Sequence, residues 1–205
     1  MPTTLDLTYP FAGRWLARNS PATRVASHGT TQFASAFAID FVGVDDAGRS
    51  APFTATSLVR PEPPTRFVGF GRPVLAPADG LVVAAHDTQP DHAAFRGLPS
   101  LGYALGQARR VAAGWPALAG NHVMIQIPAG PVVVLCHLQQ GSVRVRLGEY
   151  VAPGQAVANC GNTGNSTEPH LHLQAISTMD VTAATAVPIT LHGGLPRNGV
   201  VVDAR

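Results

Sequence analysis

Turn-forming residues interrupt this chain so regularly that they favour many short strands over long helices. Its 21 Gly and 18 Pro are scattered between short Val-, Ala- and Leu-rich runs rather than gathered in a linker. Glycine and proline both break regular elements, and short apolar runs bounded by such signals read as strands. Strands are expected at Phe37–Val42, His122–Ile127, Val132–Leu138, Ser142–Val145, Tyr150–Val151, Ala156–Asn159 and His170–Ile176. Pro73 to Ala84 reads as two strands joined by a tight turn at Asp79-Gly80, a strong hairpin signal. One segment departs from this rhythm. Between Ser100 and Ala113, Leu101, Leu105, Ala108 and Ala112 recur at helical spacing, and Ser100 is a suitable cap. The expected class is therefore mainly β and antiparallel, with a short helical insertion near 100–113. A length of 205 residues suits one core. Residues 1–26 read as an irregular N-terminal arm with a strand near Gly13–Leu16, and 27–205 as a single domain.

Charge narrows the function classes. Lys and Arg total 14 against 12 acidic residues, an excess too small to argue for nucleic acid. All the basic residues are Arg; the sequence contains no Lys. Cys136 and Cys160 match no metal or redox spacing and read as buried free thiols, with a disulfide between them left open. Strand alternation puts Cys136 on the face opposite His137. Met1–Trp15 lacks the basic and apolar regions of a signal peptide, and no apolar run approaches the roughly 20 residues that span a bilayer.

The histidines carry the chemistry. In Pro169-His170-Leu171-His172-Leu173-Gln174, strand geometry points His170 and His172 into one site and the leucines into the core. Two imidazoles on one face need partners if buried, and zinc is a good one. Alone, this pattern is weak and fits two half-exposed strand histidines better. The turn-rich run Cys160–Glu168 feeds directly into it, and its small residues let another chain approach closely. His137 ends an apolar strand and is either a satisfied core histidine or a candidate acid, base or oxyanion stabiliser. Asp40 lies inside an apolar strand, where carboxylates are rare without a partner. With His28 upstream it would complete a two-histidine, one-carboxylate site with an open position for water, a catalytic zinc arrangement. His86, His92 and His192 lie in or near expected loops and read as solvated, and His122 is a candidate for the groove wall.

These segments, in this order, resemble the lysostaphin-like zinc endopeptidases that cut peptidoglycan peptides. The matching stretches are Ala38–Phe41, Pro73–Val82, Gly120–Ile125, His137-Leu138, Val151–Val157, Gly161–Thr167 and Pro169–Leu173. They span roughly 27–176, most of the chain. The resemblance implies an antiparallel sheet or sandwich (the duplicated hybrid motif fold) with a substrate groove. It implies one zinc ion held by His28, Asp40 and His172, with His137 and His170 as non-ligand catalytic histidines assisting a metal-activated water. The implied partner is a peptidoglycan peptide, which places the protein in the cell envelope or outside the cell; with another substrate it would be cytoplasmic. Three positions depart from the family pattern. Eleven residues, none of them His, separate His28 from Asp40, where the family usually has a few. Glu168 replaces a small residue, and Gln174 stands where an acidic residue is common.

Other readings are weaker. Lipoyl and biotinyl carrier domains share the Val-Ala-Pro-Gly-Gln type of segment but need a Lys. A phosphocarrier resembling the glucose-permease domain would use two facing histidines without Asp40 or a third His. The remaining rival is a catalytically silent family member that binds wall peptide or activates another wall hydrolase. Such members typically lose metal-site residues, whereas all five positions are filled here.

Overall fold

Every residue of Val132–Leu138 is buried, which requires paired neighbours on both edges and packed layers on both faces. The structure, a computed structural model, describes residues 4–128 and 130–205. Its strands are β1 (Leu5–Leu7), β2 (Gly13–Arg18), β3 (Ile39–Gly43), β4 (Pro73–Leu75), β5 (Gly80–His86), β6 (Asn121–Gln126) and β7 (Val132–Leu138). They continue as β8 (Tyr150–Val151), β9 (Ala156–Asn159), β10 (Leu171–Ile176), β11 (Ala186–Val187), β12 (Ile189–Leu191) and β13 (Val201–Ala204). Three short helices, α1 (Leu98–Leu105), α2 (Gln107–Ala112) and α3 (Trp115–Ala119), form the insertion between β5 and β6.

The fold is mainly β. One antiparallel sheet runs β13-β2-β3-β10-β7-β6-β5-β8, with β11 also pairing β10. Two ribbons accompany it: parallel β1-β12 and antiparallel β4-β9. Alternation along the strands divides the apolar residues between the two faces. Leu171, Leu173 and Ala175 of β10 join Ile39, Phe41 and Trp15 in the main core, which the ribbons cover with Val74, Ala158, Ile189 and Leu191. Val132, Val134, Cys136 and Ile176 form a smaller cluster on the other face, where Trp115 and Ala119 of the insertion pack. No helix among the described residues is long and apolar enough to cross a membrane.

Several local expectations change. The strand expected near Gly13–Leu16 is present as β2 and lies inside the main sheet, and the rest of the stretch read as an irregular arm adds β1; residues 1–3 of that arm lie outside the described residues. Asp79-Gly80 does not close a hairpin, because β4 pairs with β9 while β5 pairs with β6 and β8. Gly80 is needed there for close packing instead: a Cβ would lie 2.6 Å from the Gln126 carbonyl oxygen. Ser142–Val145 is not a strand; its backbone meets the neighbouring chain through Arg144 N–H, which donates to the Val157 carbonyl at 2.8 Å. Cys136 and Cys160 are free buried thiols, in clusters on opposite sides of the sheet.

Candidate metal centre

The register of the sheet builds the centre. Asp40 on β3 lies directly opposite His172 on β10, and Leu171 and Leu173 anchor the strand on the core side. His172 Nδ1 is 2.9 Å from Asp40 Oδ1. His28 comes from the long loop between β2 and β3. That loop folds back on itself, Ser27 N–H donating to the Ala36 carbonyl at 3.0 Å, and brings His28 Nε2 within 3.0 Å of Asp40 Oδ2. The eleven-residue separation therefore forms a return loop. One ligand atom from each of His28, Asp40 and His172 lies within 4.8 Å of the others.

His137 and His170 stand beside this group. His170 Nε2 is 3.8 Å from Asp40 Oδ1, and the His137 ring centroid is 4.6 Å from that of His170 and 5.9 Å from that of His172. His137 reaches the site through a β-bulge. It adopts φ +62° and is skipped in the β6–β7 register, where His122 pairs Cys136 and Asn121 pairs Leu138. Simple alternation placed Cys136 and His137 on opposite faces; the bulge instead lets both line the same cavity. The Cys160–Glu168 turn supports both catalytic candidates. Its approach to the start of β6 needs glycine at Gly164 (φ +70°), where a Cβ would lie 2.5 Å from the Leu118 carbonyl oxygen. Held there, Thr163 offers its carbonyl to His137 Nδ1 at 2.9 Å, and Glu168 offers its own to His170 Nδ1 at 2.8 Å.

The hydrogen-bond network fixes the tautomers. Carbonyls accept only, so His137 and His170 carry their protons on Nδ1 and leave Nε2 as an acceptor. Ser27 Oγ donates to the Ser35 carbonyl at 3.3 Å and so accepts from His28 Nδ1–H at 2.9 Å. Gln174 Nε2 donates to the Phe33 carbonyl at 3.1 Å, so Gln174 Oε1 accepts from His172 Nε2–H at 2.9 Å. His28 Nε2 and His172 Nδ1 are thus left with lone pairs aimed at the two oxygens of a buried carboxylate. Lone pair against anion is repulsive unless a cation sits between them. Two imidazole nitrogens and one carboxylate are the donor set of an open zinc site, so these residues fit zinc. Without a metal only protons can take that place. Burial pulls the His172 pKa down, but the hydrogen bond and charge of Asp40 outweigh it and raise it. Burial pushes the Asp40 carboxyl up, yet the charges of His28 and His170 and the hydrogen bonds from His172 and His28 hold it well below the usual range. His137, by contrast, is held well below the imidazole range by burial and then by His170 and His172.

The five residues lie in a cavity of about 390 Å³, within the size of small-molecule and peptide pockets. Thr30, Gln32 and Phe33 of the return loop form one wall, and Tyr103, Gln107 and Trp115 of the insertion form the other. Sequence reasoning missed Asn19, which lines the cavity and donates from Nδ2 to Asp40 Oδ2 at 2.7 Å. Its φ of +46° suits an Asn, and an Asn-Ser-Pro turn at the end of β2 was its only signal. Glu168 faces away from the chemistry: Arg18 approaches it at 3.3 Å and Ser50 Oγ donates to it at 2.8 Å. The remaining histidines stay out of the centre. His122 is buried behind Trp115, bonded to the Gly120 carbonyl, and does not line the cavity. His86 stacks on His122 from the end of β5, and His92 is half-buried against the Gly164 carbonyl, so neither is simply solvated; His192 is exposed.

The profile of Peptidase family M23 matches residues 91–184. Lysostaphin of Staphylococcus simulans is 31% identical over 101 residues, covering 48% of this chain and 20% of lysostaphin. An uncharacterized metalloprotease of Haemophilus influenzae is 31% identical over 132 residues, 61% of this chain and 22% of that protein. The peptidoglycan DD-endopeptidase ShyA of Vibrio cholerae is 40% identical over 58 residues, 28% of this chain and 13% of ShyA. The chain thus spans about a fifth or less of the length of these relatives. Residues 91–184 thus match Peptidase family M23, and the chain is similar to lysostaphin and to further peptidases.

Proposed function

We propose that the chain is a zinc-dependent endopeptidase that hydrolyses peptide bonds of bacterial peptidoglycan, working where wall peptides are accessible in the cell envelope or outside the cell. One observation carries the reading. Two imidazole lone pairs converge on the buried Asp40 carboxylate beside two further histidines whose Nε2 atoms are free to accept protons.

His28, Asp40 and His172 would hold one zinc ion per chain, with Ser27 and Gln174 keeping the imidazoles in the ligating tautomer. Zinc supplies Lewis-acid polarisation of a carbonyl and lowers the pKa of a water towards about 7. His137 and His170 do the proton work. Burial keeps His137 neutral, so it is competent to accept a proton as water attacks. A protonated imidazole of the pair can then donate to the oxyanion or to the leaving amine. The cavity walls would hold a wall peptide across these groups. The match of residues 91–184 to a peptidase family and the wall-cutting activity named for the Vibrio cholerae relative support peptidoglycan as the substrate.

The test has two parts. Purified protein is expected to carry stoichiometric zinc that His172→Ala removes; a folded, zinc-free wild type would sink the metal site. Wild type is expected to cleave wall peptides, and His137→Ala to abolish cleavage while retaining zinc. A metal-loaded wild type without turnover would instead indicate a silent member that binds wall peptide or activates another hydrolase.

A further inference from the structure

The apolar stripe of the insertion faces water. Leu98, Leu101 and Leu105 follow one another at i, i+3 and i+7 on α1, yet they are 64%, 64% and 88% exposed. Ala108 and Ala112 continue the stripe along α2, also exposed. Polar contacts secure the inner side instead. Tyr103 OH donates to the Gly164 carbonyl at 3.2 Å, and Arg110 lies 3.8 Å over the Tyr103 ring and donates to Asn165 Oδ1 at 2.6 Å.

A second exposed apolar segment adjoins the stripe. Phe53, Leu58 and Val59 are 65%, 46% and 58% exposed. Gly97, just before α1, sits against the Leu58 backbone so closely that a Cβ would lie 2.6 Å from its carbonyl oxygen. Arg96 lies 5.7 Å from the Phe53 ring. The two segments therefore form one patch, and contiguous exposed apolar surface of this kind marks an interaction site.

Charge indicates the partner. No acidic residue occurs between Asp91 and Glu149, or between Asp46 and Glu62. Glu62 itself is buried and occupied by Arg96 and Arg66. The exposed charges of the two segments are Arg60 and Arg109, both cationic. Large apolar side chains with cations and no carboxylates complement an anionic lipid surface, where leucines enter the headgroup boundary and guanidinium groups meet phosphates. The same composition disfavours a second copy of the chain, since apposed patches would bring Arg to Arg with no carboxylate to pair.

We propose that this patch docks the protein on an anionic bilayer. Tyr103 and Gln107 of the same insertion line the cavity, so docking would hold one rim of the groove at the membrane surface. This inference is independent of peptidase activity, and so is its test. The full chain is floated with phosphatidylcholine vesicles, alone or with about 30 mol% phosphatidylglycerol. Wild type is expected to bind the anionic vesicles about tenfold more strongly, less so in high salt. Leu101→Ser/Leu105→Ser is expected to lower that binding about tenfold, and Arg60→Gln/Arg109→Gln, which leaves the stripe intact, severalfold. Absence of wild-type binding, equal binding to both vesicle types, or unchanged binding in both variants would overturn the proposal. So would a dimer in sedimentation velocity that Leu101→Ser/Leu105→Ser dissolves, because a second copy would then occupy the patch.

Discussion

Gln174 decides which nitrogen of His172 is available. Its amide is oriented by the Phe33 carbonyl, so its oxygen takes His172 Nε2–H and leaves Nδ1 to the centre. Gln174→Leu removes that constraint and is expected to weaken zinc binding about 10- to 100-fold, measured by competition with a chelator. Gln174→Glu keeps an acceptor and is expected to retain most of the affinity; loss equal to that of Leu would show that the tautomer is not what Gln174 controls. Asn19 acts on the carboxylate from the other side. Asn19→Gly tolerates the positive φ and removes only the amide. Its expected effect is a severalfold loss of zinc affinity with little change in Tm.

At the scale of elements, Glu62 ties the segment carrying Phe53 and Leu58 to the loop that leads into α1. It accepts from Arg96 Nε at 2.6 Å and Nη2 at 2.8 Å and from Ser57 Oγ at 3.0 Å. Hydrogen bonds from Arg96, partly offset by burial and aided by Ser57, lower the pKa of this carboxyl from its ordinary 4.5. A folded-state pKa below the unfolded one gives stability that is present above the unfolded value and lost as pH falls through the folded value. Glu62→Gln is therefore expected to cost about 2 kcal/mol at neutral pH in urea unfolding. The gap between variant and wild type should narrow as pH falls below 4.5; a pH-independent gap would assign the loss to packing. The elements themselves were unevenly legible. Val132–Leu138 and His170–Ile176 were readable because apolar content and period report burial directly. Asp79-Gly80 misled because glycine there serves a close strand approach that no local pattern records. The stripe of α1 announced a helix but not the side it turns to water. The bulge at His137 was invisible, since a positive φ at a non-glycine residue is imposed by the neighbouring turn rather than by its own sequence. The structure brings the five candidate residues together: strand geometry and motif order singled out Asp40, His137, His170 and His172, and elimination His28, whereas Asn19 sits in no motif and went unremarked.

Across the whole molecule, the centre joins parts of the chain far apart in sequence. His28 sits on a surface loop, Asp40 in the first third of the chain and His172 in the last, and a cation among them would clamp β3, β10 and the return loop together. The metal-free state has to place protons between a buried carboxylate and two imidazole lone pairs, so a cation that binds only the folded chain shifts the folding equilibrium towards it. At a zinc concentration about 100 times its Kd that linkage amounts to about 2.7 kcal/mol. In a chain of this size each kcal/mol moves Tm by about 2–4 °C, so chelation is expected to lower Tm by about 5–10 °C, and restored zinc to recover it. His172→Ala should unfold at one temperature with or without zinc. His137→Ala, which leaves His28, Asp40 and His172 in place, should keep the full zinc-dependent shift. If the two variants respond alike in calorimetry, the cation binds elsewhere and the assignment of His28, Asp40 and His172 fails. If only His172→Ala loses the shift, the same three side chains both hold the metal and clamp the fold, and the loss of activity in His137→Ala can be read as chemistry rather than as unfolding.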